Sequence, residues 1–354
     1  MKKSLLALAV LGAFASAASA QSSVTLSGML DAGVRRVGTA TSNDWQLGGS
    51  QSGYNNFTIS GREDLGGGMN AFFAMNHRFA INNGTANSQQ FVCSTAPAGG
   101  APTATCPAAP TFWRNIWVGL GGGFGDVRLG RILMPLQDMN GGFDPFLTGT
   151  VGSVHTGGIT ATIRANNAIY YRSPSMGGLS LHAAIAAGEG QLQGETANNF
   201  GQVAPSPVGR PQERPIGFNL RYAAGPLNVG VAYDRNYADY KTTGLYASYD
   251  FGAFKLMGQY ETGDSNIAAG NLPEDIDNMS IGVTAPFGPV LMRAGYIRVN
   301  SDRANRDASK FGFGGDYNLS KRTNLYATVG KTSGNRQTTA QKKTMFDLGV
   351  THRF

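Results

Sequence analysis

Charge is scarce in this chain. Asp, Glu, Lys and Arg make up 14% of its 354 residues, against about a quarter in an ordinary soluble domain. There are only 2 cysteines, too few for a disulfide scaffold. Past residue 20 no stretch reaches the ~18 apolar residues of a spanning helix, which excludes a helical membrane bundle. The Lys+Arg total of 29 exceeds the Asp+Glu total of 22, yet no dense basic run offers itself to nucleic acid. Enzyme signatures are missing as well. The 4 histidines form no HExxH metal motif, and no GxSxG elbow occurs. Gly66–Gly68 and Gly121–Gly123 open no helical pattern, so phosphate-loop readings fail. A serine and a histidine joined only by the fold would leave no such mark. What is plentiful is glycine, 50 residues, and aromatics, 10%. The aromatics argue against disorder, and the glycines lack the collagen period.

Residues 1–20 read as a cleaved targeting segment. Met1-Lys2-Lys3 is the basic start, Leu5 to Ala15 the apolar stretch, and Ala18-Ser19-Ala20 a small-x-small cleavage site. Residues 21–354 then form one domain. Export makes a nucleic-acid partner implausible. It also favours a disulfide between Cys93 and Cys106 over a metal site, since the nearest histidine is His77.

The rest of the chain alternates with a period of two, the mark of strands with one apolar and one polar face. Val24, Leu26, Leu30 and Val34 oppose Thr25, Ser27 and Asp31. Phe218, Leu220 and Tyr222 oppose Asn219 and Arg221. Phe346, Leu348, Val350 and Phe354 oppose Asp347, Thr351 and Arg353. The pattern gives 16 strands, near 23–35, 54–63, 69–79, 111–120, 126–132, 164–173, 178–187, 214–223, 227–236, 240–250, 253–262, 278–285, 289–298, 308–318, 323–331 and 342–354. Their connections alternate between tight Gly/Pro turns and mostly long polar loops. Short turns at one end and long loops at the other describe an outer-membrane barrel.

The physical reason is direct. In lipid every backbone N–H and C=O needs an internal partner, so a sheet must close on itself. Lipid-facing residues are apolar and lumen-facing residues polar. Aromatics at strand ends, such as Tyr222, Tyr249, Tyr317 and Phe354, belong at the interfaces. A barrel of this size is too wide for side chains to fill and leaves an aqueous channel. The expected fold is thus an all-β, 16-stranded antiparallel transmembrane barrel.

Several stretches carry a family resemblance. Ser22-Ser23-Val24-Thr25-Leu26-Ser27-Gly28, Gly61-Arg62-Glu63-Asp64-Leu65-Gly66-Gly67-Gly68 and Phe124-Gly125-Asp126-Val127-Arg128-Leu129-Gly130-Arg131 come first. Arg164-Ala165-Asn166-Asn167, Leu319-Ser320-Lys321-Arg322-Thr323 and His352-Arg353-Phe354 follow. Each is weak alone. In this order, across the whole mature chain, they resemble the general diffusion porins of β-proteobacteria, the neisserial type. The resemblance implies a homotrimer in the outer membrane of a Gram-negative bacterium, in contact with outer-membrane lipid and lipopolysaccharide. Each barrel would be a passive pore for small solutes and ions, without a cofactor. Phe354 resembles the terminal signal read by the barrel assembly machinery. The third long loop, about Ile132 to Thr162, is expected to fold into the pore and constrict it.

Lumen charge sets selectivity, because arginine and lysine rings favour anions and carboxylate rings favour cations. Anion-selective relatives carry three wall arginines facing the third loop. The matching positions here are Asn56, Arg114 and Arg164, so the first is a neutral amide. Arg78 on the next strand is placed to compensate, beside Asn76. Arg62, Arg172 and Arg221 also fall on polar faces. Asp138 and Asp144 of the loop would oppose the arginines. The parity of Arg114 conflicts with Ile116, Val118 and Leu120, which share its face, and a bulge would resolve the conflict. The expected activity is an anion-preferring general porin. The alternatives are a substrate-selective channel for organic anions or phosphate, whose sign would be an aromatic slide along the lumen that the sequence does not show, and a barrel hydrolase or adhesin.

Overall fold

The computed structural model describes residues 23–36, 45–49, 54–82, 84, 113–154, 163–187, 213–236, 239–265, 274–303, 306–334 and 344–354. Residues 1–20 and the pair Cys93 and Cys106 lie outside these. The strands are β1 (Ser23–Arg36), β2 (Trp45–Gly49), β3 (Asn56–Gly66), β4 (Met69–Arg78), β5 (Trp113–Gly122), β6 (Gly125–Leu133), β7 (Arg164–Arg172), β8 (Leu179–Ala186) and β9 (Ile216–Ala224). They continue as β10 (Leu227–Arg235), β11 (Lys241–Asp250), β12 (Lys255–Ser265), β13 (Glu274–Phe287), β14 (Val290–Ser301), β15 (Ala308–Asn318), β16 (Thr323–Gly334) and β17 (Thr344–Arg353). One helix, α1 (Pro135–Gly142), follows β6.

From β3 onward each strand pairs antiparallel with its successor, and β17 returns to β1 from Met29↔Arg353 to Arg36↔Phe346. The ring is sealed at its last residue. Gly28 N donates to Phe354 O at 3.0 Å, and Phe354 N to Gly28 O at 3.1 Å. The Phe354 ring lies over Gly28, where an added Cβ would meet its Cζ at 2.5 Å. The sheet counts 17 strands, one more than expected, because β2 falls inside the first long loop. β2 and β3 share one edge of β1: β3 pairs with Ser23–Met29 and β2 with Ala32–Arg36. They fill one place in the ring, which is therefore a closed 16-stranded antiparallel barrel. Between them the backbone of Asp31 would lack a partner. The buried Asn55 side chain supplies it, accepting from Asp31 N at 2.6 Å and donating to Asp31 O at 3.1 Å. A backbone group orphaned inside a membrane wall would cost several kcal/mol.

Alternation decides which face meets lipid. Along β11, Thr243, Leu245 and Ala247 are exposed while Thr242, Tyr246 and Ser248 are buried. Val118, Leu245, Ile281 and Leu348 stand on the outer surface, and polar residues such as Asp31, Gln259 and Thr328 point inward. Tyr222, Tyr249, Phe251, Tyr317 and Phe354 form an exposed aromatic band at the short-turn end, as an interface requires. Gly67 and Gly68 both hold positive φ, 61° and 78°, the backbone that a tight two-residue hairpin demands. Strand bounds match the sequence reading closely; β13 departs most, starting at Glu274 rather than near 278.

Candidate functional site

The third loop enters the barrel. It leaves β6 through extended Met134, and Pro135 starts α1, where its missing N–H costs nothing. Leu136, Met139 and Phe143 pack against Ala232, Tyr246 and Met257 on the inner wall. This apolar patch inside a polar lumen exists to seat the loop. Asn219 Nδ2 donates to Pro135 O at 2.8 Å, and Asn140 Nδ2 donates to buried Glu261, which also accepts from the Tyr246 hydroxyl at 2.7 Å.

Beyond α1 the chain crosses to the strands on the far side of the patch. Arg293 Nη1 donates to Pro145 O and Nη2 pairs with Asp316. Val151 N donates to Asp347 Oδ2 at 2.7 Å. Wall glycines allow the approach: a Cβ on Gly312 would lie 1.9 Å from Gly152 O, and one on Gly330 2.0 Å from Val151 O. The described part of the loop is thus a strap on the inner faces of β8–β17. Asp144 does not face the pore. It is 1% exposed and accepts from Phe146 N at 2.9 Å, Thr148 N at 3.0 Å and the Ser153 hydroxyl. It ties the loop to itself.

The opposite wall, β3–β7, carries the arginines. A bulge stands where the parity of Arg114 demanded one. Asn76 faces Asn115 and His77 faces Trp113, so Arg114 is the extra residue. Arg114, Arg78 and Arg131 all lie close enough to Arg164 for their charges to act on it. Arg164, Arg131 and Arg78 meet amides and a ring. Arg164 Nε donates to Asn115 Oδ1 at 2.7 Å, Arg131 Nη1 to Asn166 Oδ1 at 2.6 Å, and the Arg78 guanidinium stacks 3.6 Å from the Tyr54 ring centroid. Asn56 accepts from Asn76 Nδ2 at 3.2 Å, and the same amide donates to Thr58 Oγ1 at 2.8 Å. Asn56 therefore joins an amide network beside the arginines.

A second group lies nearer the short turns. Asp126 holds two arginines, Arg128 Nε at 2.8 Å and Arg172 Nη2 at 2.8 Å. The Arg128 guanidinium stacks 4.7 Å from the Trp117 ring centroid and 5.5 Å from that of Tyr170. Arg62 is exposed here, over Phe72 at 5.5 Å, apart from the Arg164 cluster. Arg172, expected at the constriction, belongs to this group through Asp126. Asp138 of α1 reaches His182 on β8, with Oδ2 3.5 Å from Nδ1. Arg221 Nε donates to Asn228 Oδ1 at 2.7 Å.

A strapped loop facing an arginine wall inside a closed barrel is a solute passage, and comparison with known proteins agrees. A family model described as Gram-negative porin matches residues 7–337. The chain belongs to the Gram-negative porin family. "Outer membrane porin protein 32" of Delftia acidovorans is 32% identical over 93% of this chain and 89% of its own length. "Major outer membrane protein P.IB" of Neisseria meningitidis serogroup B is 24% identical over 100% of both chains. Among solved structures, an "Anion-selective porin from Comamonas acidovorans" superposes with a TM-score of 0.72 at 26% identity, covering 94% of this chain and 100% of that one. This porin is a protein of the outer membrane.

Sequence reasoning missed several residues of the porin wall. Arg131 shares an outer-face parity with Leu129, so nothing marked it as a neighbour of Arg164. Glu261 and Asp347 were visible only as polar-face residues, and Asp126 only as part of the Phe124–Arg131 stretch. The signal that could have found them is the lone carboxylate on an inner face, which must meet a cation or a loop donor to be buried.

Proposed function

We propose that this porin is a general diffusion channel that passes small hydrophilic solutes and prefers anions. One observation carries the preference. The upper lumen holds Arg164 beside an amide and Arg78 beside a ring, with the charge of Arg114 acting on Arg164, whereas the buried carboxylates Asp144, Glu261 and Asp347 are taken up in holding the loop. The guanidinium charge of Arg78 and Arg164 then faces the passing ion. Asn56 in place of a third family arginine weakens the cluster, and Arg78 offsets the loss. The test is the zero-current potential of the purified protein in a planar bilayer under a KCl gradient. A potential of the anion-selective sign supports the reading, and the opposite sign refutes the preference. Absence of conductance from folded protein refutes the channel itself.

A second reading is a substrate-selective channel for organic anions or phosphate. It is favoured by the inward aromatic shelf of Phe72, Trp117 and Tyr170 with Arg62 and Arg128 stacked on it. Saturable flux and block by the solute would separate it from general diffusion. The chain acts as a channel and not as an enzyme. It assembles as a homotrimer after cleavage behind Ala20, its barrel assembly is guided by Phe354, and lipopolysaccharide surrounds its rim. Support for the trimer comes from Arg131 and Asn166, which share an outer recess with Phe73, Ile116 and Leu129. Such polar groups need cover other than lipid. Cys93 and Cys106 form a disulfide in the second long loop.

A further inference from the structure

His182, in contact with Asp138, has no part in the proposed selectivity so far. It stands on the inner face of β8 with 12% of its side chain exposed. Its Nδ1 lies 3.5 Å from Asp138 Oδ2 and makes no hydrogen bond, so the contact becomes an ion pair only when the imidazole carries a proton. Asp138 is 47% exposed and presents its carboxylate to the passage from α1. The surroundings are charged on every side. From β7 come Tyr170, with its ring centroid 5.8 Å from the imidazole, and Arg172, which faces His182 across the ladder. From β6 come Asp126 and Arg128, whose charges reach Tyr170 together with those of Asp138 and Arg172. From β9 comes the amide of Asn219, opposite His182. Asp126 and Asp138 balance Arg128 and Arg172, and Arg221, bonded to Asn228, stands next along β9 opposite Ser180. With a neutral imidazole the first four groups together carry no net charge.

Histidine is the side chain whose charge changes between about pH 5 and 8. A proton on His182 takes this balanced group to one net positive charge. It also neutralises Asp138, the loop carboxylate that faces the ions. We propose that His182 is a selectivity-determining residue of this channel, and that its protonation against Asp138 raises the preference for anions as the pH falls. The inference rests on the proposed permeation through this lumen. It concerns the change with pH and not the sign of the resting selectivity.

The experiment is the zero-current potential in a gradient around 0.1 M KCl, read at pH 8 and pH 5. The wild type, His182→Gln, His182→Arg and Asp138→Asn are compared, each with folded protein of measured single-channel conductance. The wild type is expected to gain about twofold in anion-to-cation permeability ratio on acidification, from one added charge near the ion path. His182→Gln should show no such gain. His182→Arg and Asp138→Asn should already stand near the acid value at pH 8. The inference is overturned if His182→Gln keeps the gain, or if the gain is lost instead in His155→Gln, the histidine elsewhere on the same loop. A wild type that favours cations at pH 8 but still shifts with His182 refutes the anion preference and supports this inference. A wild type that favours anions without any shift does the reverse.

Discussion

Replacing Arg164 by Gln tests the electrostatic reading most sharply. The residue is buried, and its guanidinium meets the amide of Asn115 at 2.7 Å. A glutamine keeps a polar partner for that amide while removing the charge. An ion passing about 7 Å from a guanidinium in water feels about 0.6 kcal/mol, and 0.1 M salt screens this to about 0.3 kcal/mol. The same charge attracts an anion and repels a cation, so its loss lowers the anion-to-cation permeability ratio by about threefold. At 1 M salt the screening length is about 3 Å and the change shrinks to about 1.2-fold. The assay is the zero-current potential at both salt concentrations. Arg298→Gln is the control, because Arg298 is exposed, on the outer-face parity of β14, bonded to Asn300 Oδ1 at 2.8 Å; it should change nothing. A ratio unaffected in Arg164→Gln at 0.1 M, or reduced equally at 1 M, would refute the reasoning.

Three further predictions follow from the packing. A Cβ on Gly330 would sit 2.0 Å from Val151 O, against about 3.3 Å for a tolerable carbon–oxygen contact. Gly330→Ala should therefore push the strap toward the lumen by over about 1 Å and lower single-channel conductance. Gly123→Ala, with nothing within 4 Å, should leave conductance unchanged. Asn55→Leu removes both partners of the Asp31 backbone. At about 1–3 kcal/mol for each orphaned buried group, it should shift the urea midpoint in detergent clearly downward, and an unshifted midpoint would show that the amide does not complete the ladder. Cys93 and Cys106 should resist alkylation in the exported protein until a reductant is added; labelling without reductant would exclude their disulfide.

The barrel was legible because the membrane imposes a rule on every strand. A residue pointing outward must be apolar, so the period of two is written along the whole chain, as in Leu245, Ala247 and Tyr249 against Tyr246 and Ser248. The sorting of short turns and long loops then gave the strand order without further information. β2 escaped because it is a five-residue piece in a polar loop, held in the ring by pairing with β1 and by the Asn55 amide. Neither leaves a periodic mark. The bulge at Arg114 was legible for the opposite reason: the residue broke the rule, and a broken parity in an otherwise regular strand calls for an extra residue.

The lumen was less legible, because its rule is weaker. An inward residue need only be tolerated by water or by the loop. Polar alternation therefore says which residues face in, and not which of them face ions. Asp138 and Asp144 looked equivalent, as two carboxylates six positions apart on one loop. Asp144 is drawn into backbone N–H groups of its own turn, where a carboxylate accepts several charge-assisted bonds at once. Asp138, on the exposed side of a short helix, reaches His182. The difference is set by which wall strands the loop rests on. That in turn depends on the apolar seat of Ala232, Tyr246 and Met257 and on the bare backbones of Gly312 and Gly330. Those residues break the polar rule of the inner face, just as Arg114 broke that of its strand. Inward apolar residues and glycines in a wide barrel thus mark where a loop is held, and the charged residues outside that footprint are the ones that reach the ion path.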